Sequence, residues 1–313
     1  MDQSGTELLV PDAAGIARAA ELLRAGRLVA VPTETVYGLA ARADSDAAVA
    51  AIYRAKGRPD FNPLIVHVAE LDVAEGLAHF DSRARELAER FWPGPLTMVL
   101  PLRDGASVAP AVTAGLPTIA LRMPAHPAMR ALLIETGLPL AAPSANRSGA
   151  VSPTEADHVV ASLGGRIDAV VDGGACERGL ESTIVALRAD GTWQLLRPGP
   201  IEESQISAIL GRPHDVTSAK VEAPGQLAQH YAPGKPVRLD VEVGEPDEFM
   251  IGYAEIAGDC TLSASGDLAE AAARLYACLH MGAASEKPRI AVAPIPMDGI
   301  GAAIRDRLAR AAA

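Results

Sequence analysis

The chain has 313 residues, of which 49% are hydrophobic, 21% charged and only 4% aromatic, which is the composition of a globular protein rather than a disordered one. Because single cores usually stop growing at ~250 to 300 residues, this length predicts two domains. The net charge of −11 argues against a general nucleic-acid or membrane-surface binder, since such binding depends on Lys and Arg, but it still allows a local basic pocket.

The cysteines and the N-terminal sequence indicate the cellular setting. Cys176, Cys260 and Cys278 form no C-x-x-C pair, and no histidine pair has the spacing of zinc ligands. The sequence therefore predicts neither a disulfide framework nor a structural metal site. The N-terminal stretch MDQSGTELLVPD has no basic segment, and no apolar run reaches the ~18 residues of a membrane span. We expect a soluble protein of the reducing cytoplasm without a membrane partner.

Residues 1–210 alternate between short apolar strands and helices of about ten residues. Asp12 can cap a helix that Gly26 can end, and the buried strand LVAV follows. Further helices are predicted at 46–56, 82–91, 127–136, 153–163 and 202–210, and strands at 64–69, 96–100, 118–123, 138–142, 169–173, 182–187 and 193–199. SPTE at 152–155 is interpreted as the capping box of one of these helices. The alternation predicts an α/β layer structure.

Residues 211–236 interrupt this pattern, because Gly, Pro and polar residues dominate and no period persists. We predict a linker here, although a plain spacer has no need of its HYAP motif. A smaller α/β unit follows at 237–313, with strands near 237–243, 249–255 and 289–296 and helices at 268–282 and about 300–311. The predicted division is thus 1–210, 211–236 and 237–313.

Several common catalytic and nucleotide-binding motifs are excluded. The chain has no G-x-x-x-x-G-K-[ST] loop and no H-E-x-x-H. GIGAA at 299–303 resembles a dinucleotide-binding turn, but too little sequence follows it for the rest of such a unit, so a turn before a helix is favoured. Ser144 lies in PSANRSG and not in G-x-S-x-G, so a nucleophile elbow is not indicated.

Polar residues instead collect where apolar strands end. PTETVYGL follows the strand LVAV and carries three hydroxyl groups. In TIALRM the side chains alternate, so Arg122 shares a face with Thr118 and Ala120 and not with the hydrophobic set. Lys56, in RAKGRPDFN, is the only lysine in residues 1–210. Such a concentration of charge and hydroxyl groups is typical of a ligand site.

Each of these residues also has a structural interpretation when it is taken alone. Arg122 could lie on a solvated face, and His67 could be a hydrogen-bonded core histidine. Lys56 and Arg58 could complement the dipole at a helix end, an effect of about 0.3–1 kcal/mol. Ser182 could be an ordinary strand residue. The choice between these interpretations depends on the residues considered together.

Considered together, the motifs resemble those of the threonylcarbamoyl-AMP synthase family, in the long form that joins a YrdC-type domain to a C-terminal extension. The motifs, in chain order, are PTETVYGL, KGRPDFNPLIVHV, FWPGPLTMVL, TIALRMPAHP, PLAAPSANRSGAVSPT, ESTIV, LRPG and HYAPGKP. The resemblance is strong over about residues 13–236 and general beyond them. In the loop before Asn62, this chain has Phe61 at a position where the family motif most commonly has a smaller residue.

The resemblance implies a fold and a reaction. The fold would be a YrdC-like twisted, largely open mixed sheet with flanking helices and a concave active-site cavity, followed by a smaller Rossmann-like α/β domain. The enzyme would be a nucleotidyltransferase that joins L-threonine, bicarbonate or CO2 and ATP into threonylcarbamoyl-adenylate and releases pyrophosphate. That product serves the t6A modification at position 37 of ANN-decoding tRNAs, so the t6A transferase machinery and tRNA would be indirect partners. Mg²⁺ is expected with the ATP phosphates, without protein ligands or an organic cofactor.

The resemblance also implies roles for individual residues. Lys56 and Arg58 would act in catalysis by binding the ATP phosphates. The expected ATP-binding residues are Lys56, Arg58, Asn62, Thr118, Ser144, Asn146, Ser152, Arg197 and Tyr231. The expected L-threonine-binding residues are Thr35, His67, Arg122, Ala142 and Ser182, with Arg122 on the carboxylate. Tyr231 would reach the nucleotide from a linker that acts as a lid.

Two alternatives belong to other classes of function. The first is an RNA-binding module, since YrdC-type domains have a concave basic surface, but the acidic composition disfavours it. The second is a carbamoyltransferase of the hydrogenase-maturation kind, which this chain does not match in its cysteine pattern. A regulatory or partner-docking task of the C-terminal unit is compatible with synthesis and stays open.

Overall fold

The computed structural model describes residues 5–214, 222–225 and 230–313 of the chain. Within these ranges the chain forms two α/β units, each built around its own sheet. The α/β class predicted from the sequence is therefore confirmed. Of the helices in these ranges, none is long and apolar enough to cross a membrane.

The larger sheet belongs to the first unit and is mixed. Its strands are β1 (Glu7–Leu9), β2 (Val29–Val31), β3 (Gly38–Arg42), β4 (Ile65–His67), β5 (Leu96–Pro101), β6 (Thr118–Arg122), β7 (Leu140–Ala141), β8 (Ala169–Val171), β9 (Thr183–Leu187) and β10 (Trp193–Arg197). Their order in the described part of the chain is β1-β8-β2-β3-β7-β4-β6-β5-β9-β10. Strands β4 and β6 pair in parallel, whereas β5 and β6 pair antiparallel. The sheet is open, as the resemblance implied.

Eight helices of the first unit flank this sheet in the described residues. They are α1 (Ala13–Arg24), α2 (Asp46–Lys56), α3 (Leu71–Leu77), α4 (Ser82–Phe91), α5 (Pro110–Thr113), α6 (Pro127–Thr136), α7 (Ala156–Leu163) and α8 (Glu203–Leu210). The ends of α2 follow from its sequence: the Ser45 side chain accepts a hydrogen bond from the Ala48 amide, and Gly57 adopts a left-handed φ of 60°. Lys56 therefore lies in the last helical turn, and Arg58 lies in the loop toward β4.

The side chains of β6 point alternately to the two faces of the sheet, as the alternation in TIALRM predicts. Ile119 and Leu121 lie in the main hydrophobic core, whereas Ala120 packs on the opposite face in a cluster that includes Ala223. Ala223 belongs to the predicted linker. The linker therefore covers the face of the sheet that carries Arg122.

The second unit has a smaller sheet. Its elements are β11 (Val237–Arg238), β12 (Glu248–Gly252), β13 (Cys260–Thr261), α9 (Leu268–Ala284), β14 (Arg289–Val292) and α10 (Gly301–Ala311). The strands run parallel in the order β11-β14-β12-β13. Its core continues into the first unit through Val36, Val151 and Leu180. At Gly179 a Cβ atom would lie 2.4 Å from a carbonyl oxygen of α9, so the loop before ESTIV packs directly on that helix.

Some sequence-based expectations differ from the structure. Strands β1, β3 and β13 and helices α3 and α5 were not predicted, and β11 is shorter than predicted. The capping box at SPTE is wrong: α7 begins at Ala156, and the Ser152 hydroxyl donates to Glu181 Oε1 at 2.5 Å instead. GIGAA is a turn followed by the start of α10 at Gly301, as expected. Of the predicted linker 211–236, residues 215–221 and 226–229 lie outside the described residues.

Candidate active site

A cavity lies on the face of the larger sheet that the linker covers. Most of the predicted site residues line it, namely Thr35, Arg58, His67, Arg122, Ala142, Ser144, Ser182, Arg197 and Tyr231. Other predicted residues lie outside its wall, namely Lys56, Asn62, Thr118, Asn146 and Ser152. Residues that are distant in sequence thus meet at one place, mainly where β4, β6 and β10 end.

Described residues of the linker narrow this cavity. Pro224, Gly225, His230 and Tyr231 form part of its wall, and the enclosed volume is only about 40 Å³. Ligand cavities for molecules of drug or nucleotide size measure roughly 300–1,000 Å³, so the cavity in this arrangement has no room for ATP. We refer to this arrangement as the closed form of the site.

Two arginines give the cavity its positive charge. Arg58 donates from Nε to the carbonyl oxygen of Asn62 at 3.2 Å and from Nη2 to that of Pro63 at 2.9 Å. Arg197 donates from Nε to the Ser182 carbonyl oxygen at 3.0 Å and from Nη2 to the Ser182 hydroxyl at 3.1 Å. Burial lowers the pKa of both, to about 10 for Arg58. Among the described residues, neither forms an ion pair with a carboxylate, which favours an anionic ligand here.

Lys56 lies behind the cavity wall. Its Nζ donates to the carbonyl oxygens of Ser144 and Asn146, each at 2.5 Å, so it holds the PSANRSG turn in place. Burial, together with the nearby Arg58 charge, lowers the pKa of Lys56 well below its ordinary value. Asn146 is equally occupied, since its Nδ2 donates to the carbonyl oxygens of Arg147 and Ala150. In the closed form Lys56 and Asn146 shape the turn rather than face the cavity.

Arg122 is part of a buried ion pair. Its Nη2 donates to Glu34 Oε1 at 2.6 Å, its Nη1 to the Thr35 hydroxyl at 2.9 Å and its Nε to the carbonyl oxygen of Gly94 at 3.2 Å. Burial alone would raise the pKa of Glu34, but the charge and hydrogen bond of Arg122 outweigh it and lower that pKa. Two N–H groups of the guanidinium remain for a second carboxylate.

Four buried side-chain polar atoms lack a partner within the described ranges: two belong to the cavity wall, one to Asn62, whose carbonyl Arg58 contacts, and one to Arg130 on α6. His67 Nδ1, Asn62 Oδ1 and His230 Nδ1 have no hydrogen-bond partner among the described residues. Burial, with the Arg122 charge, lowers the pKa of His67 to about 3, so its imidazole is neutral at physiological pH. Because an unpaired buried polar atom costs about 1–3 kcal/mol, the two atoms in the cavity wall indicate a place where a ligand completes the hydrogen bonds.

Three residues of the site were not assigned from the sequence. Glu34 pairs with Arg122, Glu181 lines the cavity and His230 lines it from the linker. Each lies within a quoted motif: PTETVYGL, ESTIV and HYAPGKP. The sequence did contain a signal for Glu34, which lies between two threonines just after a buried strand. A carboxylate that is buried there requires a cationic partner.

The fold and the site define a class of two-unit α/β proteins with a small cavity, lined by buried arginines, between the larger sheet and residues of the linker. Two family models match the chain: the Sua5/YciO/YrdC model, described as telomere recombination, over residues 21–199, and the threonylcarbamoyl-AMP synthase C-terminal domain over residues 201–313. The chain belongs to the threonylcarbamoyl-AMP synthase family, as the motif resemblance predicted.

Individual relatives agree with this assignment. The threonylcarbamoyl-AMP synthase of Bacillus subtilis (strain 168) is 43% identical, and the alignment covers 95% of this chain and 92% of that protein. The crystal structure of Sua5 from Pyrococcus abyssi complexed with L-threonine has a TM-score of 0.89 and 35% identity, and the match covers 98% of this chain and 97% of that one. The predicted fold is confirmed by this similarity.

The alternative functions gain no comparable support. The crystal structure of full-length HypF in its phosphate- and nucleotide-bound form matches with a TM-score of 0.53 at 20% identity. That match covers 60% of this chain and 30% of HypF. Such a similarity indicates a shared fold and not a shared reaction. Neither a HypF-type carbamoyltransferase nor an RNA-binding module is favoured.

Proposed function

We propose that this protein makes L-threonylcarbamoyladenylate from L-threonine, bicarbonate or CO2, and ATP, and releases pyrophosphate. The observation that carries the proposal is the closed cavity of this family member. There two buried arginines, which have no carboxylate partner in the described ranges, meet a neutral histidine with a nitrogen that no described residue bonds to. An anion and a polar ligand would together satisfy these groups. The product would supply the t6A transferase machinery that modifies tRNA.

The chemistry requires no nucleophile from the protein. The threonine amine and CO2 form a carbamate, whose oxygen attacks the α-phosphorus of ATP while pyrophosphate leaves. The protein must bring the two substrates together and stabilise charge on oxygen atoms as it develops. Buried guanidinium groups suit this task because they stay charged and donate several hydrogen bonds in a fixed plane.

The ATP half of the site would lie between Arg58 and Arg197. Both guanidinium groups line the cavity and, within the described part of the chain, bond to neutral oxygen atoms, which they could exchange for phosphate oxygens. The unpaired Oδ1 of Asn62 would receive a donor from the nucleotide or its water. Tyr231 would face the same ligand from the linker. Lys56 would act from behind, through the turn of Ser144.

The threonine half would lie at Arg122 and His67. Their strand ends are paired, since His67 is opposite Arg122 in the β4–β6 register. The remaining N–H groups of Arg122 would bind the threonine carboxylate, and the unpaired nitrogen of His67 would bond to its amine or hydroxyl. The Ser182 hydroxyl, which bonds to both Thr97 and Arg197, would connect the two halves.

Magnesium would accompany the ATP phosphates. Among the described residues no group of three or more potential metal ligands occurs, and the carboxylates at the site, Glu34 and Glu181, are each paired with an arginine. When bound, Mg²⁺ would neutralise charge on the leaving pyrophosphate. The residues of this chain would hold the phosphates and not the ion.

Pyrophosphate release from ATP tests the proposed reaction. We expect release to require threonine and bicarbonate together, because the carbamate is the attacking group, and the adenylate to appear in equal amount by mass spectrometry. Omission of either substrate is the internal control. Release that is unchanged without threonine would contradict the proposal, as would an adenylate that lacks the threonylcarbamoyl group.

A further inference from the structure

Residues of the second unit reach the wall of the cavity. Arg307 of α10 is completely buried, and it donates from Nε to Glu181 Oε2 and from Nη2 to the carbonyl oxygen of Pro198, each at 2.9 Å. Its guanidinium carbon also lies 5.4 Å from the centre of the Tyr231 ring, within the range of a cation–π interaction. One side chain therefore contacts three separate motifs of the site: ESTIV, LRPG and HYAP.

Tyr276 of α9 contacts the same two partners. Its hydroxyl lies 3.0 Å and 2.9 Å from the two carboxylate oxygens of Glu181, and its ring stacks on Tyr231 with 5.6 Å between the ring centres. Two helices of the second unit thus converge on Glu181 in the sheet unit and on Tyr231 in the linker.

Glu181 connects Arg307 and Tyr276 to the cavity, because it bonds to both and forms part of the cavity wall. Its Oε1 accepts a hydrogen bond from the Ser152 hydroxyl at 2.5 Å, and the residue after it, Ser182, accepts from Arg197. Burial alone would raise the pKa of Glu181, but the charges of Arg307 and Arg197 lower it to about 2, so the carboxylate is ionised at neutral pH. A buried carboxylate needs such cations to stay in place.

We infer that Arg307 is a positioning residue for the ATP half of the site, supplied by the second unit. It holds Tyr231 directly, and Ser152 through Glu181, in the closed arrangement. This inference rests on the proposed function, in which Tyr231 faces the nucleotide. It gives the second unit a part in substrate binding, because that unit supports Glu181 and Tyr231 of the cavity wall from behind.

The first experiment compares Arg307→Lys with Arg305→Lys. Lysine keeps the charge but lacks the planar fork that spans Glu181 and the Pro198 carbonyl. Arg305 lies on the same helix, pairs with Asp240 at 2.9 Å and is partly exposed away from the cavity, so it is a matched control. We expect Arg307→Lys to lower kcat/KM for ATP about 10- to 100-fold, mainly through KM, with the KM for threonine little changed.

A second variant and a double-mutant cycle distinguish a loss of positioning in the site from a loss of folding. Tyr276→Phe keeps the stacked ring and removes only the hydroxyl that donates to the Glu181 carboxylate, so it should fold even if Arg307→Lys does not, and it should also raise the KM for ATP. If Arg307 acts through Tyr231, then Arg307→Lys added to Tyr231→Ala should cost far less than it does alone. Thermal melting of each variant shows whether lost activity reflects unfolding.

The outcomes are distinguishable. An unmodified enzyme that neither binds ATP in calorimetry nor releases pyrophosphate would overturn the proposed function and this inference together. An active unmodified enzyme, with Arg307→Lys folded and equal to Arg305→Lys in its KM for ATP, would overturn the inference alone. Fully additive effects of Arg307→Lys and Tyr231→Ala would overturn it as well.

Discussion

Arg122 serves two carboxylates in the proposed reaction. In the closed form one of them is Glu34, in a pair whose side chains are only 4% and 6% exposed. The other would be the carboxylate of threonine. A buried pair of this kind is costly to break, because the remaining charge has no partner, whereas neutralising both partners is much less costly. Binding and stability effects of Arg122 can therefore be separated.

We predict that Arg122→Gln alone loses both threonine use and about 3–5 kcal/mol of unfolding free energy, since Glu34 stays buried and charged. Adding Glu34→Gln should recover most of the stability, because no unpaired charge remains, but not the activity. Urea unfolding and the threonine dependence of pyrophosphate release measure the two effects. A double variant with a near-normal KM for threonine would show that Arg122 does not bind the carboxylate.

Elements that depend on local chemistry were the predictable part of this fold. The limits of α2 follow from Ser45 and Gly57, and the faces of β6 follow from strict alternation. Strand β3 was not predictable, because its sequence GLAAR has small residues of low β-propensity and becomes a strand only by pairing with β2 and β7. A strand that depends on pairing with its neighbours need not show an alternation of apolar and polar residues in its own sequence.

The same limit applies to the site. Motif resemblance predicted half of the residues in the cavity wall, because those residues carry the family pattern. The partners of its charges were not predictable: Arg122 meets Glu34 across 88 residues, and Arg307 meets Glu181 across 126. Only the folded chain brings such residues together. The bonds of Lys56 to the PSANRSG turn were not predictable for the same reason.

The end of α2 gives a test at the scale of an element. If Lys56 only complemented the helix dipole, its loss would cost about 0.3–1 kcal/mol. Because its ammonium instead satisfies two carbonyl oxygens of the PSANRSG turn, we predict that Lys56→Met costs about 1–3 kcal/mol and weakens ATP binding. Chemical unfolding measures the first effect and calorimetry the second.

Arg54→Met is the control for this prediction, since Arg54 lies in the same last turn but is exposed. It should change stability by no more than the dipole effect. Equal losses in the two variants would mean that Lys56 acts only through the helix dipole and does not hold the turn.

At the scale of the whole molecule, we propose that the linker determines whether the site is open. It contacts the sheet unit through Pro224 and Gly225 and the second unit through Tyr231. Because the cavity measures only about 40 Å³ in the closed form, turnover would require this segment to leave and return. Closure would also protect the adenylate, which water would otherwise split into AMP and the carbamate.

A substitution at Gly225 should shift the equilibrium between the closed and open forms of the site. It has a φ of 84°, and a Cβ there would lie 2.9 Å from Arg197 Cδ and 3.1 Å from Tyr231 Oη. Gly234 has a similar φ of 78° with nothing within 4 Å. An alanine at either position carries the same backbone cost of about 1–2 kcal/mol, but only Gly225→Ala also clashes with the closed form. We predict that Gly225→Ala, compared with Gly234→Ala, binds ATP faster in stopped flow and yields a larger share of AMP among its products. Equal AMP shares in the two variants would contradict a protective role for closure, because the open form would then retain the adenylate as well as the closed one does.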